Sequence, residues 1–225
     1  TRRETDTRND NESRITAPGS VLDSVYRDNA TSLYDIAAAT LALEKHFSPR
    51  WSLKAGAKYT RNDMRNDALY EYRRGDAWLR NERQSFTINY TENIAAAYAI
   101  ASAKLGAVSF VAGVRGEYTH TTGKGVGQDY FSLFPNASLS WSVSEQKGWS
   151  LIAQYARTIE RPRFWSLSPQ RMQLSDYTYQ TGNPSLDPSF KHDVSLTLVA
   201  AHKYTLTAGV QIVNDEIQQT MKADS

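Results

Sequence analysis

The chain has 225 residues, with 26 Lys and Arg against 24 Asp and Glu, and no Cys. A net charge of +2, evenly mixed, gives no case for nucleic acid, and the lack of Cys excludes a disulfide framework and thiol chemistry. Mean hydropathy is -0.57 and there is no run of about 18 apolar residues, so no membrane helix is available, which leaves membrane-crossing β-strands open.

Residues 1–30 are polar and mixed in charge (Arg2, Arg3, Glu4, Asp6, Arg8, Asp10) and are expected to be a loop or a disordered arm. Strand patterning starts near Leu33 and runs to His46, with Ala37, Ala39, Leu41 and Leu43 in one phase. The turn at 47–50 is short, and Pro49 ends the ladder. Residues 51–60 then alternate strictly. Trp51, Leu53, Ala55, Ala57 and Tyr59 share one face, and Ser52, Lys54, Gly56, Lys58 and Thr60 share the other. A long polar stretch follows to about Ser85, with Tyr70, Tyr72 and Trp78 placed to form a local hairpin.

The third expected strand spans 86–104. Its Ala-rich centre is ambiguous. Ala favours helix, whereas the neighbouring Tyr, Ile and Thr favour strand. Ile94, Tyr98 and Ile100 point to even positions on the greasy side. The fourth strand has Val108, Phe110, Ala112, Val114 and Tyr118 outward, with Ser109, Gly113, Arg115, Glu117 and Thr119 inward. A Gly-rich loop follows at 121–129. The fifth strand (130–144) sets Leu133, Ala137, Leu139, Trp141 and Val143 against Asn136, Ser138, Ser140 and Ser142. The sixth carries Trp149, Leu151, Ala153 and Tyr155. A long loop occupies 162–188. The seventh strand carries Val194, Leu196, Leu198 and Ala200; the eighth carries Tyr204, Leu206, Ala208, Val210 and Ile212. Residues 218–225 read as a loop or tail.

The fold class is therefore all-β: an antiparallel transmembrane β-barrel segment of about eight up-and-down strands over residues 31–217. Short turns and long polar loops alternate, as periplasmic turns and extracellular loops do in an outer-membrane barrel. Trp51, Trp141, Trp149 and Tyr204 lie near the short turns as membrane-interface aromatics. A soluble β-sandwich or a surface adhesin domain also alternates, but neither requires a polar second face together with Trp at the turn ends. No leader precedes the first strand, and the segment starts and stops on the long-loop side. Both features lead to the expectation of a piece of a longer wall.

Chemistry-bearing patterns are few. His46, His120, His192 and His202 lack metal-site spacing, so no metal or cofactor is expected. The inward Arg115 and Glu117 suit an ion-pair network in the wall. No Gly-x-Ser-x-Gly elbow occurs, and residues 123–127 lack the strand-loop-helix context of a phosphate loop. No catalytic residue is assigned, and no enzyme activity is expected.

The stretch Thr181-Gly182-Asn183-Pro184-Ser185-Leu186-Asp187-Pro188 resembles the Gly-Asn-Pro-x-Leu-x-Pro signature of TonB-dependent outer-membrane receptors, and more narrowly the outer-membrane β-barrel family common in Bacteroidetes. Residues 115–121, residues 133–141, and Tyr155-Ala156-Arg157 leading to Arg161-Pro162 match in the same order. Asp187 and Ser189 depart from the usual basic residue and Glu. Gly182 is expected to permit a positive φ, Pro184 and Pro188 to stiffen the run, and Leu186 to pin it to the wall.

The resemblance implies a larger barrel that binds a scarce solute outside and imports it with TonB-transmitted energy. It implies as partners the remainder of the barrel, a plug domain, TonB acting through that plug, the lipid bilayer and a small-molecule, glycan or peptide ligand. Recognition is expected from loops 62–85, 120–130 and 160–189. Tyr70, Tyr72, Trp78, Trp165, Tyr177 and Tyr179 offer stacking surfaces there, and Arg73, Arg74 and Arg171 offer charge for acidic ligands. An adhesin or a secretion-system barrel without active transport is the alternative.

Overall fold

The computed structural model describes residues 2–17, 20–123, 125–169, 172–175 and 178–222. In chain order the strands are β1 (Arg2–Ala17), β2 (Ser20–Ser48), β3 (Trp51–Arg74), β4 (Ala77–Arg80), β5 (Phe86–Leu105), β6 (Val108–Gly123), β7 (Val126–Ser144) and β8 (Trp149–Glu160). A single helical turn, α1 (Phe164–Leu167), comes next. β9 (Met172–Ser175), β10 (Thr178–Gln180), β11 (Ser189–Ala200) and β12 (Tyr204–Asn214) complete the chain. One 10-stranded antiparallel sheet runs β1-β2-β3-β5-β6-β7-β8-β11-β12, with β4 attached to β3 alone, and β9 and β10 form a separate hairpin. The two ends of the path, β1 and β12, do not pair, so the described sheet is open.

All eight expected strands are present, and most of them reach further than expected. Residues 2–17 are not a loop or disordered arm: β1 pairs with β2 from Arg2↔Asp35 to Ala17↔Ser20. Polar composition misled here because both faces of a wall outside the bilayer meet water. Apolar alternation vanishes there while the backbone ladder continues. For the same reason residues 62–74 continue β3, and the expected loop at 120–130 is only the tip of the β6/β7 hairpin, closed by Gly123↔Val126. The expected local hairpin exists as β3/β4, with Arg73 opposite Trp78 and Tyr72 opposite Leu79.

Register assigns the faces, because directly opposed residues share a side. Trp51, Leu53, Ala55, Ala57 and Tyr59 oppose Ala103, Ala101, Ala99, Ala97 and Ala95. Those alanines in turn oppose Phe110, Ala112, Val114, Gly116 and Tyr118, and the same face continues as Leu139, Ala137, Pro135, Leu133 and Phe131 on β7. Leu151, Ala153 and Tyr155 carry it to Leu198, Leu196 and Val194, then to Leu206, Ala208 and Val210. Many of these apolar side chains are exposed: Leu133 is 48% exposed, Val194 51% and Leu206 69%. A continuous, solvent-facing apolar face of this extent belongs against hydrocarbon. From Trp51 to Tyr59 the strand climbs about 26 Å, or about 20 Å when tilted near 40°, close to the height of a lipid-facing barrel band.

The phase of β5 is the reverse of that expected. Ile94, Tyr98 and Ile100 are on the inner face, and the alanines are on the lipid face. Size misled: Tyr98 lies over Gly56, where an added Cβ would sit 2.6 Å from its ring, and Ile100 lies over Gly113, where a Cβ would sit 2.9 Å from Cγ1. The large inward side chains fill the space these glycines leave open. The Ala-rich stretch is strand, not helix.

Candidate functional site

The inner face around the upper edge of the membrane band carries a connected polar cluster. Its centre is Arg161, the first residue after β8. Arg161 Nη2 donates to Glu117 Oε2 at 2.5 Å and to Thr119 Oγ1 at 3.4 Å, and its Nε donates to the Tyr130 hydroxyl at 3.2 Å. Nε also lies 3.9 Å from Glu92 Oε1. Arg115 donates to the other Glu117 oxygen, and Asn62 Nδ2 donates to Glu92 at 2.8 Å. Strands β3, β5 and β7 each contribute one member (Asn62, Glu92 and Tyr130), and β6 contributes Arg115, Glu117 and Thr119. Burial pulls the Arg161 pKa down, but the hydrogen bonds to Glu117 and Tyr130 and the charges of those two groups together outweigh it, and the net shift is upward. The Arg115–Glu117 pair expected from alternation is thus part of a wall network, and Arg161 is its third member.

The network anchors the long loop 161–188 over the inner face. Phe164 of α1 packs on Tyr90, with ring centroids 5.5 Å apart, and Trp165 meets Phe164 edge-on at 5.3 Å. Leu167 is 1% exposed. Residues 182–183 return along α1: Gly182 N–H donates to Ser168 O at 2.8 Å and Asn183 N–H to Ser166 O at 2.7 Å. A Cβ on Gly182 would sit 2.6 Å from the Trp165 and Ser166 carbonyl oxygens. Gly182 is therefore required for close backbone approach; the expected positive φ is absent, since the positive-φ glycines are Gly75, Gly106, Gly125 and Gly148. The Asn183 side chain accepts from Ser185 N–H at 3.0 Å, an Asx turn, and Gln128 Nε2 donates to Leu186 O at 2.6 Å, tying the motif to β7. Pro184 and Leu186 are half-buried, Pro162 likewise, and Pro188 is buried where β11 begins.

The candidate contact residues divide between faces. Tyr70, Tyr72 and Arg74 lie in the inner phase of β3, whereas Arg73 and Trp78 oppose each other in the outer phase. Trp78 lies under the Arg27 guanidinium, 4.3 Å from the ring centroid, and Arg73 donates to Gly75 O. Burial raises the Tyr70 pKa. Trp165 is half-buried in the anchored loop and Tyr179 lies in β10. Arg171 and Tyr177 lie outside the described residues. The described members of the set are therefore not assembled into one cleft. Trp51, Trp141, Trp149 and Tyr204 are all exposed, and all share the apolar face near the short turns. Sequence reading missed Tyr90, Glu92, Gln128 and Tyr130, and gave Thr119 only as an inward residue. Their only signal was shared inward phase, which has no value until register is known. Among the described residues no group of three or more His, Asp or Glu is placed to hold a metal ion.

A family model described as the outer membrane protein beta-barrel family matches residues 1–225. The chain belongs to this family. It is an outer-membrane protein, and its open sheet is barrel wall. Among solved structures, the ferric citrate transporter FecA in its unliganded form is similar in fold, with a TM-score of 0.54 at 9% identity. That match covers 98% of this chain and 33% of FecA. The alcaligin outer membrane receptor FauA of Bordetella pertussis also matches, with a TM-score of 0.39 at 16% identity, over 93% of this chain and 44% of FauA. The chain thus spans a third to under a half of these receptors. No curated protein sequence matches it. The family match agrees with the resemblance to an outer-membrane β-barrel family read from residues 181–188.

Proposed function

We propose that this wall belongs to a TonB-dependent receptor that binds a scarce nutrient at the cell surface and imports it with TonB-transmitted energy. The observation that carries the reading is the loop 161–188, held over the inner face by Arg161 on Glu117 and by Gln128 on Leu186. A barrel that only displays adhesive loops has no need to fold them over its own lumen. In this reading the inner face of the membrane band, with Lys54, Lys58 and Arg115, meets a plug domain, and Tyr70, Tyr72, Trp165 and Tyr179 border the outer vestibule. The wall supplies binding and passage, with no catalytic role.

The test is binding of the full-length protein, extracted from outer membranes, to the purified periplasmic domain of TonB. Retention supports an energised importer. A full-length protein that retains none and carries no plug domain would instead be an adhesin or secretion-system barrel.

A further inference from the structure

We propose that Arg157 and His192 form a docking site on the lipid-facing side of the wall for the phosphate of a phosphorylated glycolipid in the outer leaflet. Both residues are in the lipid-facing phase. Tyr155 opposes Val194, and Arg157 opposes His192 two residues further up. The neighbouring strand places Ile212 beside His192 and Val210 beside Val194. Arg157 is as far from Trp149 along β8 as Tyr59 is from Trp51 along β3, which puts its guanidinium at the upper edge of the apolar band.

A cation at that height is costly unless it is paired. Elsewhere on this face the chain supplies the partner itself. Arg61 lies 2.7 Å from Asp63, and Arg65 lies 2.7 Å from Asp67. Arg157 has no carboxylate partner among the described residues. Its Nη1 donates to Leu133 O at 2.7 Å, its guanidinium lies 4.2 Å from the Phe190 ring centroid, and its buried Nε has no partner. The residues around it on this face are Leu133, Pro135, Ile159, Phe190, His192, Ile212 and Asn214, none of them acidic. The nearest acids on β8 and β11, Glu160 and Asp193, are in the inner phase, and Glu160 is paired with Lys191 at 2.5 Å. His192 is held by the Tyr155 hydroxyl at Nδ1, 3.0 Å away, and its ring stacks near that of Tyr155.

This leaves a planar guanidinium and an oriented imidazole, with no anion from the described residues, at the level where lipid headgroups begin. Directly below lie Ala153, Val194, Leu196 and Val210, an apolar surface for acyl chains. Guanidinium geometry matches a phosphate, and the aromatic rings of Tyr155 and Phe190 suit the boundary between chain and headgroup.

The test is native mass spectrometry of the full-length barrel in neutral detergent with diphosphorylated lipid A and with its dephosphorylated form. The wild type is expected to retain the phosphorylated form, and Arg157→Gln to weaken retention about tenfold, the loss of one charge-assisted contact. Arg61→Gln, on the same face, is expected to change nothing. Equal retention by Arg157→Gln, equal loss in Arg61→Gln, or equal retention of the dephosphorylated lipid by the wild type would each overturn the site. If Arg157→Gln does not assemble, as read by heat-modifiable mobility, His192→Gln decides: weaker retention of the phosphorylated form supports the site, and unchanged retention overturns it.

Discussion

The ring of Tyr98 lies directly over Gly56 on the neighbouring strand, so close that a Cβ on Gly56 would sit 2.6 Å from it and 2.5 Å from the Leu41 carbonyl oxygen. The pair fixes the phase of β5 and joins β2, β3 and β5 at the middle of the wall. Gly56→Ala is expected to destabilise the full-length barrel by about 1–3 kcal/mol, as overpacking does. Because the backbone oxygen blocks the position as well, adding Tyr98→Ala restores only part of the loss. Thermal loss of heat-modifiable mobility reads both, and a Gly56→Ala barrel as stable as wild type would contradict the packing.

Arg161 organises the extracellular loop. Arg161→Ala leaves the half-buried Glu92 without its cation and the buried Glu117 with Arg115 alone, and is expected to loosen residues 162–188 by about 1–3 kcal/mol. Limited proteolysis of intact cells reads the change as faster cleavage within the loop. Unchanged cleavage would show that Phe164 and Gln128 hold it without the ion pair.

Acid is expected to open the upper β3/β5 ladder. Asp63 is held below the usual carboxylate range first by Arg61 and then by Thr91, and Asp67 likewise by Arg65 and Thr87. A lowered folded pKa means that this stabilisation is complete at neutral pH. It is lost only as pH falls below the ordinary carboxylate range and through the depressed values. Amide exchange at Thr87 and Thr91 is expected to speed up there relative to Ala99, which lies within the band. Equal acceleration at all three would contradict a local effect.

The turn between β11 and β12 places Ala201 and His202 at φ of 52° and 55° without a glycine. Two positive φ values fit a type I′ turn, which favours Asn first. Ala201→Asn is expected to stabilise the hairpin by a few tenths to about 1 kcal/mol, and His202 is left in place because its ring packs on Gly148. Thermal mobility shifts check the sign, and destabilisation would mean that Ala201 makes a contact worth more than its strain.

The membrane band was legible residue by residue. Trp51 to Tyr59 and Val194 to Ala200 alternate because one face meets hydrocarbon and the other does not. Above the band that contrast ends, so β1 and the upper part of β3 read as loops although their ladders continue. The phase of β5 was illegible for a different reason. Its lipid face is alanine, and its larger residues answer glycines on two other strands, which is register information. In the motif 182–188 the requirement for glycine was legible, but its cause was not. The cause is the backbone of α1, about fifteen residues earlier in the chain.

The two-faced wall is tested most directly on β5. Single Cys substitutions at 97, 99 and 101, and at 96, 98 and 100, are labelled with a fluorophore in the full-length barrel. The barrel is then reconstituted with lipids that carry a quencher on the acyl chain. The account predicts strong quenching at 97, 99 and 101 and little at 96, 98 and 100. The reverse pattern, or equal quenching at all six, would contradict the assignment of the faces and with it the lipid-facing site at Arg157.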